Sequence, residues 1–168
     1  MIVRASIRPL MLAAGLAASF GHAAQAQADK TGELRIAPTE FDFSSAARAG
    51  TGTSGIGGIQ TVVLKGDPNG PGLYTIMLRV PPHTRIAPHT HPDDRVATVV
   101  RGLWNIGYGD RFDSTALKPL PPGSFYTEPA GRAHFAETGE TPVIVQITGV
   151  GPSGLTYIDA ADDPRKAK

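Results

Sequence analysis

Pro88-His89-Thr90-His91-Pro92 sets two imidazoles two positions apart, and Pro129-Ala130-Gly131-Arg132-Ala133-His134 adds a third 43 positions beyond His91. In extended backbone, side chains two residues apart share a face, so His89 and His91 point the same way. The Pro/Gly turn before His134 predicts that this residue opens a further strand. Two close histidines and one remote histidine make a site that only folding can close, and converging imidazoles suit a metal ion.

Outward from these two stretches the chain reads as all-β. Ile59 to Lys65 and Leu73 to Val80 are β-rich runs joined by the turn-forming string Gly66-Asp67-Pro68-Asn69-Gly70-Pro71-Gly72, which predicts an antiparallel pair. Further short runs follow at Arg95 to Val100, Trp104 to Tyr108, Ser124 to Thr127 and Val143 to Val150, each bounded by Gly, Pro or Asp. Short strands punctuated in this way predict a sandwich or barrel. Asp113 to Leu117 is read as a single helical turn. Gly and Pro supply 20 and 15 of the 168 residues, which excludes a long-helix or coiled-coil protein. With no Cys, disulfides, zinc ribbons, Fe–S clusters and thiol nucleophiles are excluded, so any metal must be held by His and carboxylates.

Residues 83–138 resemble the two motifs of the cupin superfamily. His89, His91 and Gly102 match the first motif, and Gly123, Pro129, Gly131 and His134 match the second, in order and at the right spacing. The chain most resembles small, single-domain exported cupins. The resemblance implies a double-stranded β-helix, or jelly-roll, barrel with a divalent transition metal in its mouth, bound by His89, His91 and His134. Fe(II) comes first among the ions it implies, with Zn, Ni, Cu, Co or Mn as alternatives.

The departures from the motifs are informative. Where such a barrel places its ligand Glu, this chain has Arg95, or Val96 on the longer spacing. A guanidinium is permanently protonated and offers only donors, so Arg95 is no ligand. Three readings of it stand open: a rim pair with Asp93 or Asp94, a binder of a substrate carboxylate, or a cation that opposes metal binding. Asp93 or Asp94 is an alternative source of the missing carboxylate. Position 83 carries His where the motif has Gly and is read as a surface residue, with a fourth ligand as the alternative, and Thr138 stands in place of the final Asn. Arg79, Arg95 and Glu128 are the catalytic candidates. Glu128 and Glu137 flank the second motif, where exposed loop carboxylates are the default. Met77, Arg79, Trp104, Tyr108, Phe125, Tyr126 and Phe135 are candidate pocket residues, with simple core as the alternative.

Met1 to Pro9 carries Arg4 and Arg8, Leu10 to Phe20 is apolar, and Ala26-Gln27-Ala28 ends in small residues. That order predicts a secretory signal over 1–28, too short in its apolar part to span a bilayer, and hence a periplasmic or secreted protein. Residues 29–58 are then an irregular arm with a flexible Gly-rich end, 59–158 the barrel, and 159–168 a polar, frayed tail. Without Arg4 and Arg8 the formal charge of +1 becomes −1. This gives no bias toward nucleic acid or an anionic membrane surface. The partner expected is a small molecule, and the resemblance implies a homodimer joined through sheet edges. Three function classes follow: a metal-dependent enzyme, with dioxygenase-type oxidoreductase ahead of isomerase or lyase; a non-catalytic small-ligand binder; and a sensory barrel like those attached to some anti-sigma factors.

Overall fold

The computed structural model of the chain describes residues 24–25, 32–44 and 50–166. Apart from Ala24–Gln25, the expected signal lies outside the described residues. The strands are β1 (Ala24–Gln25), β2 (Gln60–Lys65), β3 (Gly72–Val80), β4 (Arg85–Thr90), β5 (Arg95–Arg101), β6 (Trp104–Tyr108), β7 (Lys118–Leu120), β8 (Phe125–Glu128), β9 (His134–Thr138), β10 (Val143–Gly151) and β11 (Thr156–Tyr157). Between them lie three single 3₁₀ turns, Pro38–Glu40, Ser114–Ala116 and Ala160–Asp162. Among the described residues no helix is long and apolar enough to cross a membrane.

Two sheets form the layers, one ordered β1-β2-β3-β10-β5-β8 and the other β11-β4-β9-β6-β7. Except for the parallel β1–β2 contact, every pairing is antiparallel. The protein is therefore all-β, in the jelly-roll form expected. Alternation along the strands fills the space between the sheets: Tyr74, Ile76, Leu78 and Val80 from β3, Ala97 and Val99 from β5, Ile106 from β6, and Val143, Val145 and Ile147 from β10 belong to one buried cluster.

The same alternation corrects part of the expected pocket. Met77 and Arg79 do share one face of β3, but it is the outer one. Met77 and Val62 form a second cluster there, packed against by Phe41, Phe43, Leu64 and Ile144, so part of the lead-in segment covers this sheet. Arg79 is exposed and donates to Gln60 3.4 Å away, so among the described residues it lies outside the lining of the histidine site. Phe125 is exposed on the outside of β8. Phe135 is buried, but on the outer face of β9, where its ring meets that of Phe112 at 5.0 Å while Arg85 lies over Phe112.

The tail is tied down as far as Lys166. Asp159 caps the Ala160–Asp162 turn by accepting from the Ala161 amide, and buried Asp163 accepts from the backbone and guanidinium of Arg165. The Gly-rich run is likewise built in. The Tyr157 hydroxyl donates to the Ser54 carbonyl at 2.5 Å, and Thr53 and Ser54 are both buried.

Candidate metal centre

A strand irregularity creates the site. β4 pairs with β9 through Ile86 opposite Ala136 and His89 opposite His134, so three residues on β4 span two on β9. The extra residue falls at Ala87-Pro88, where proline cannot donate to the ladder. Without this bulge the inward face of β4 would continue from Ile86 to Pro88 and Thr90. With it, His89 and His91 turn inward, and His134 enters from the neighbouring strand.

All three rings are buried, and their ligand atoms lie within 4.8 Å of one another. Ring centroids are 4.3 Å apart for His89 and His134, 5.1 Å for His89 and His91, and 5.2 Å for His91 and His134. Each Nδ1 faces a backbone carbonyl: Ala87 at 2.7 Å for His89, Gly154 at 2.5 Å for His91, and Arg132 at 3.3 Å for His134. A carbonyl only accepts, so Nδ1 carries the proton and the Nε2 lone pair is left for the interior.

Burial, and then the neighbouring His134, lower the pKa of His89 to about 3; burial, and then Arg95, lower that of His91 to about 2. At neutral pH both rings are uncharged, the form that ligates metal without displacing a proton. The shift also sets a pH dependence. Below the ordinary histidine value of about 6.5 the unfolded chain takes up protons that the folded rings refuse, so stability falls with pH between about 6.5 and 3. By pH 5 the loss approaches about 2 kcal/mol per ring, at about 1.4 kcal/mol per pH unit. Urea unfolding of metal-free protein at pH 7, 6 and 5 should show this decline, and a flat profile would mean that the rings are solvated.

The fourth wall is a cross-strand pair. Arg95 on β5 is opposite Glu128 on β8, and both point inward, 3% and 4% exposed. Arg95 donates to Glu128 through Nε at 2.8 Å and again through Nη2, to the Gly52 carbonyl at 2.7 Å, and to His91 Nε2 at 2.5 Å. Burial alone would raise the pKa of Glu128. The guanidinium, and then His134 and His91, outweigh it, and the carboxyl is held well below the usual carboxylate range. Its two oxygens lie 3.6 Å from His134 Nε2 and 3.7 Å from His91 Nε2. Donors each about 2.1 Å from one shared ion sit roughly 3–3.5 Å apart, so the residues present fit a divalent ion with Glu128 beside it.

This arrangement corrects several expectations. Glu128 is not an exposed loop carboxylate but the acid nearest the histidines, and the sign of its strand partner at 95 is the signal that marks it. Arg95 does not pair with Asp93 or Asp94 at the rim, because the inward face of β5 runs through Arg95, Ala97 and Val99. Asp93 supplies no ligand: its oxygens accept from the Tyr74 hydroxyl at 2.6 Å and the Ser153 hydroxyl at 2.8 Å, which anchors the loop that offers the Gly154 carbonyl to His91. Asp94 is exposed, Glu137 is half-buried, and His83 sits at the surface 3.3 Å from Glu140. Tyr108 is at the rim, donating to the Thr127 carbonyl at 2.7 Å.

Sequence reasoning missed Gly52, which lines the site together with Thr53 and Ser54. Its φ of +74° suits glycine, and a Cβ there would lie 2.3 Å from Ser153 Oγ and 3.3 Å from Arg95 Nη1. The cavity behind the histidines measures about 30 Å³, and its walls include Ile59, Leu78, Ile86, Trp104, Tyr126 and Ile147.

The architecture is similar to that of the polyketide cyclase RemF from Streptomyces resistomycificus, at 17% identity over 63% of this chain and 75% of that one, with a TM-score of 0.54. It is also similar to the DMSP lyase DddQ from Ruegeria pomeroyi DSS-3, at 16% identity over 59% of this chain and 51% of that one, with a TM-score of 0.50. A sugar phosphate isomerase from a cupin superfamily, from Silicibacter pomeroyi DSS-3, aligns over 60% of this chain and 65% of its own, at 18% identity and a TM-score of 0.47. Neither a protein-family model nor a curated protein matches the sequence.

Proposed function

We propose that this chain, which has the cupin fold, is a divalent-metal-dependent enzyme acting on a small anionic organic molecule, with dioxygenase-type chemistry at Fe(II) placed first. The observation that carries the reading is the set of three buried imidazoles whose Nδ1 atoms are all turned to backbone carbonyls. His89, His91 and His134 would hold the ion, with Glu128 as the adjacent carboxylate. Such an ion supplies a Lewis acid with positions left over for substrate and, for Fe(II), for O₂.

The protein's own groups favour an anion. Arg95 and Glu128 neutralise one another and the rings of His89 and His91 are uncharged, so a divalent ion adds two positive charges to a buried site whose described lining holds no further acid. A substrate carboxylate or enolate compensates them. Glu128, held ionised by Arg95, orients and balances charge; it is a weak base and no acid at neutral pH. Periplasmic or secreted placement and a homodimer belong to the same proposal.

A second reading has an observation of its own. Arg95 engages the His91 lone pair, which favours a metal-free barrel that binds a small ligand without turnover. Elemental analysis of protein purified without chelator, followed by an oxygen-uptake screen over small acids, thiols and diketones, separates the two. The enzyme reading expects close to one equivalent of transition metal and substrate-dependent O₂ consumption. No metal uptake even with excess Fe(II), Zn or Ni overturns it.

A further inference from the structure

Two buried polar atoms have no hydrogen-bond partner among the described residues, and both line the cavity below the histidines: the indole Nε1 of Trp104 and the hydroxyl of Tyr126. Each residue is 5% exposed. A buried donor without a partner costs about 1–3 kcal/mol, so two of them in one small chamber call for an explanation. They come from different sheets, Trp104 from β6 and Tyr126 from β8, and the indole N–H is near enough to the phenol to favour its anion. Register places them in depth. Tyr126 is two residues before Glu128 on β8, about 6.6 Å at the usual strand rise, so it lies one layer beneath the ionisable groups, and Trp104 stands opposite Thr138, four residues past His134 on β9.

Indole N–H donates only, and a phenol whose pKa is pushed up by burial stays protonated and can donate too. Two groups able to donate, in a cavity whose deeper walls include Leu78, Val80, Val145 and Ile147 and whose mouth holds the histidines, Arg95 and Glu128, suit a ligand atom that accepts from both. We propose that Trp104 Nε1 and Tyr126 Oη form a substrate-binding donor pair that receives a carboxylate oxygen of a small organic acid. This deepens the enzyme reading above, since the metal's uncompensated charge would draw the same anion inward. The chamber of about 30 Å³ admits the head of such a molecule and little more.

Trp104 is the single tryptophan of the chain, so its emission reports directly on the indole N–H. The test titrates metal-loaded wild-type protein and Tyr126→Phe with sodium formate, using sodium chloride as the ionic-strength control. The expected result is a saturable shift of Trp104 emission with formate alone, at least tenfold weaker in Tyr126→Phe, with metal content unchanged. The formate-free melting temperature of Tyr126→Phe should equal or exceed that of wild type, because the substitution removes an unsatisfied hydroxyl. Absence of the shift, an unchanged formate affinity in the variant, or a clearly lowered melting temperature overturns the proposal. Failure of the metal reading would show separately, as no metal uptake, and the same titration on metal-free protein would still decide this one.

Discussion

Arg95→Ala is expected to destabilise the metal-free protein by about 3–5 kcal/mol, the usual effect of removing one partner from a buried ion pair. Glu128 would be left in an apolar interior with its carboxylate unpaired, and the hydrogen bonds to the Gly52 carbonyl and His91 Nε2 would be lost with it. The substitution should act on metal in the opposite sense. It frees the His91 lone pair and removes a positive charge from the site, so divalent metal should bind at least tenfold more tightly, one pairwise interaction of about 1.4 kcal/mol or more. Urea unfolding with and without added Zn would then show a larger metal-induced gain in the variant than in wild type. A loss below about 1 kcal/mol in the metal-free state would mean that the pair is solvated.

His134→Ala should abolish stoichiometric metal uptake. Disturbing a residue that merely orients a ligand costs roughly 10–100-fold in metal affinity, so deleting one of three ligands should exceed 100-fold. His89→Ala and His91→Ala should match it, because each ring contributes one inward Nε2. His83→Ala should leave metal content unchanged, since that ring is at the surface beside Glu140. Elemental analysis of the four variants, purified in parallel, checks the set. Retention of metal by His134→Ala would remove the cluster as the metal centre.

Much of the fold was legible because its signals are local. Strands β2, β3, β5, β6, β8 and β10 fall within a few residues of the apolar runs between turn-formers. β7 escaped notice because its three residues, Lys118, Pro119 and Leu120, carry too little pattern. β4 was concealed by the prolines around the histidines, although Pro88 sits at the bulge, where a missing N–H is tolerated. The site was legible as three histidines and as one missing acid. What took the acid's place was not, since nothing local to Glu128 distinguishes it from Glu137.

The sequence by itself determined the alternation that makes layered sheets, the shared face of His89 and His91, and the exclusion of thiol ligands, all properties of residues a few positions apart or of composition. Only the tertiary structure decided which face each strand turns inward. A side-chain period of two means that a single bulge, as at Ala87-Pro88, reverses the assignment, and that Met77 and Arg79 could as well have faced the core. Tertiary structure also decided the partners of Arg95 and the meeting of Trp104 with Tyr126. Arg95 and Glu128 stand 33 residues apart in the chain and become neighbours only when β5 and β8 pair. The opposite charges, trivial in sequence, acquire their strength from the burial that pairing imposes.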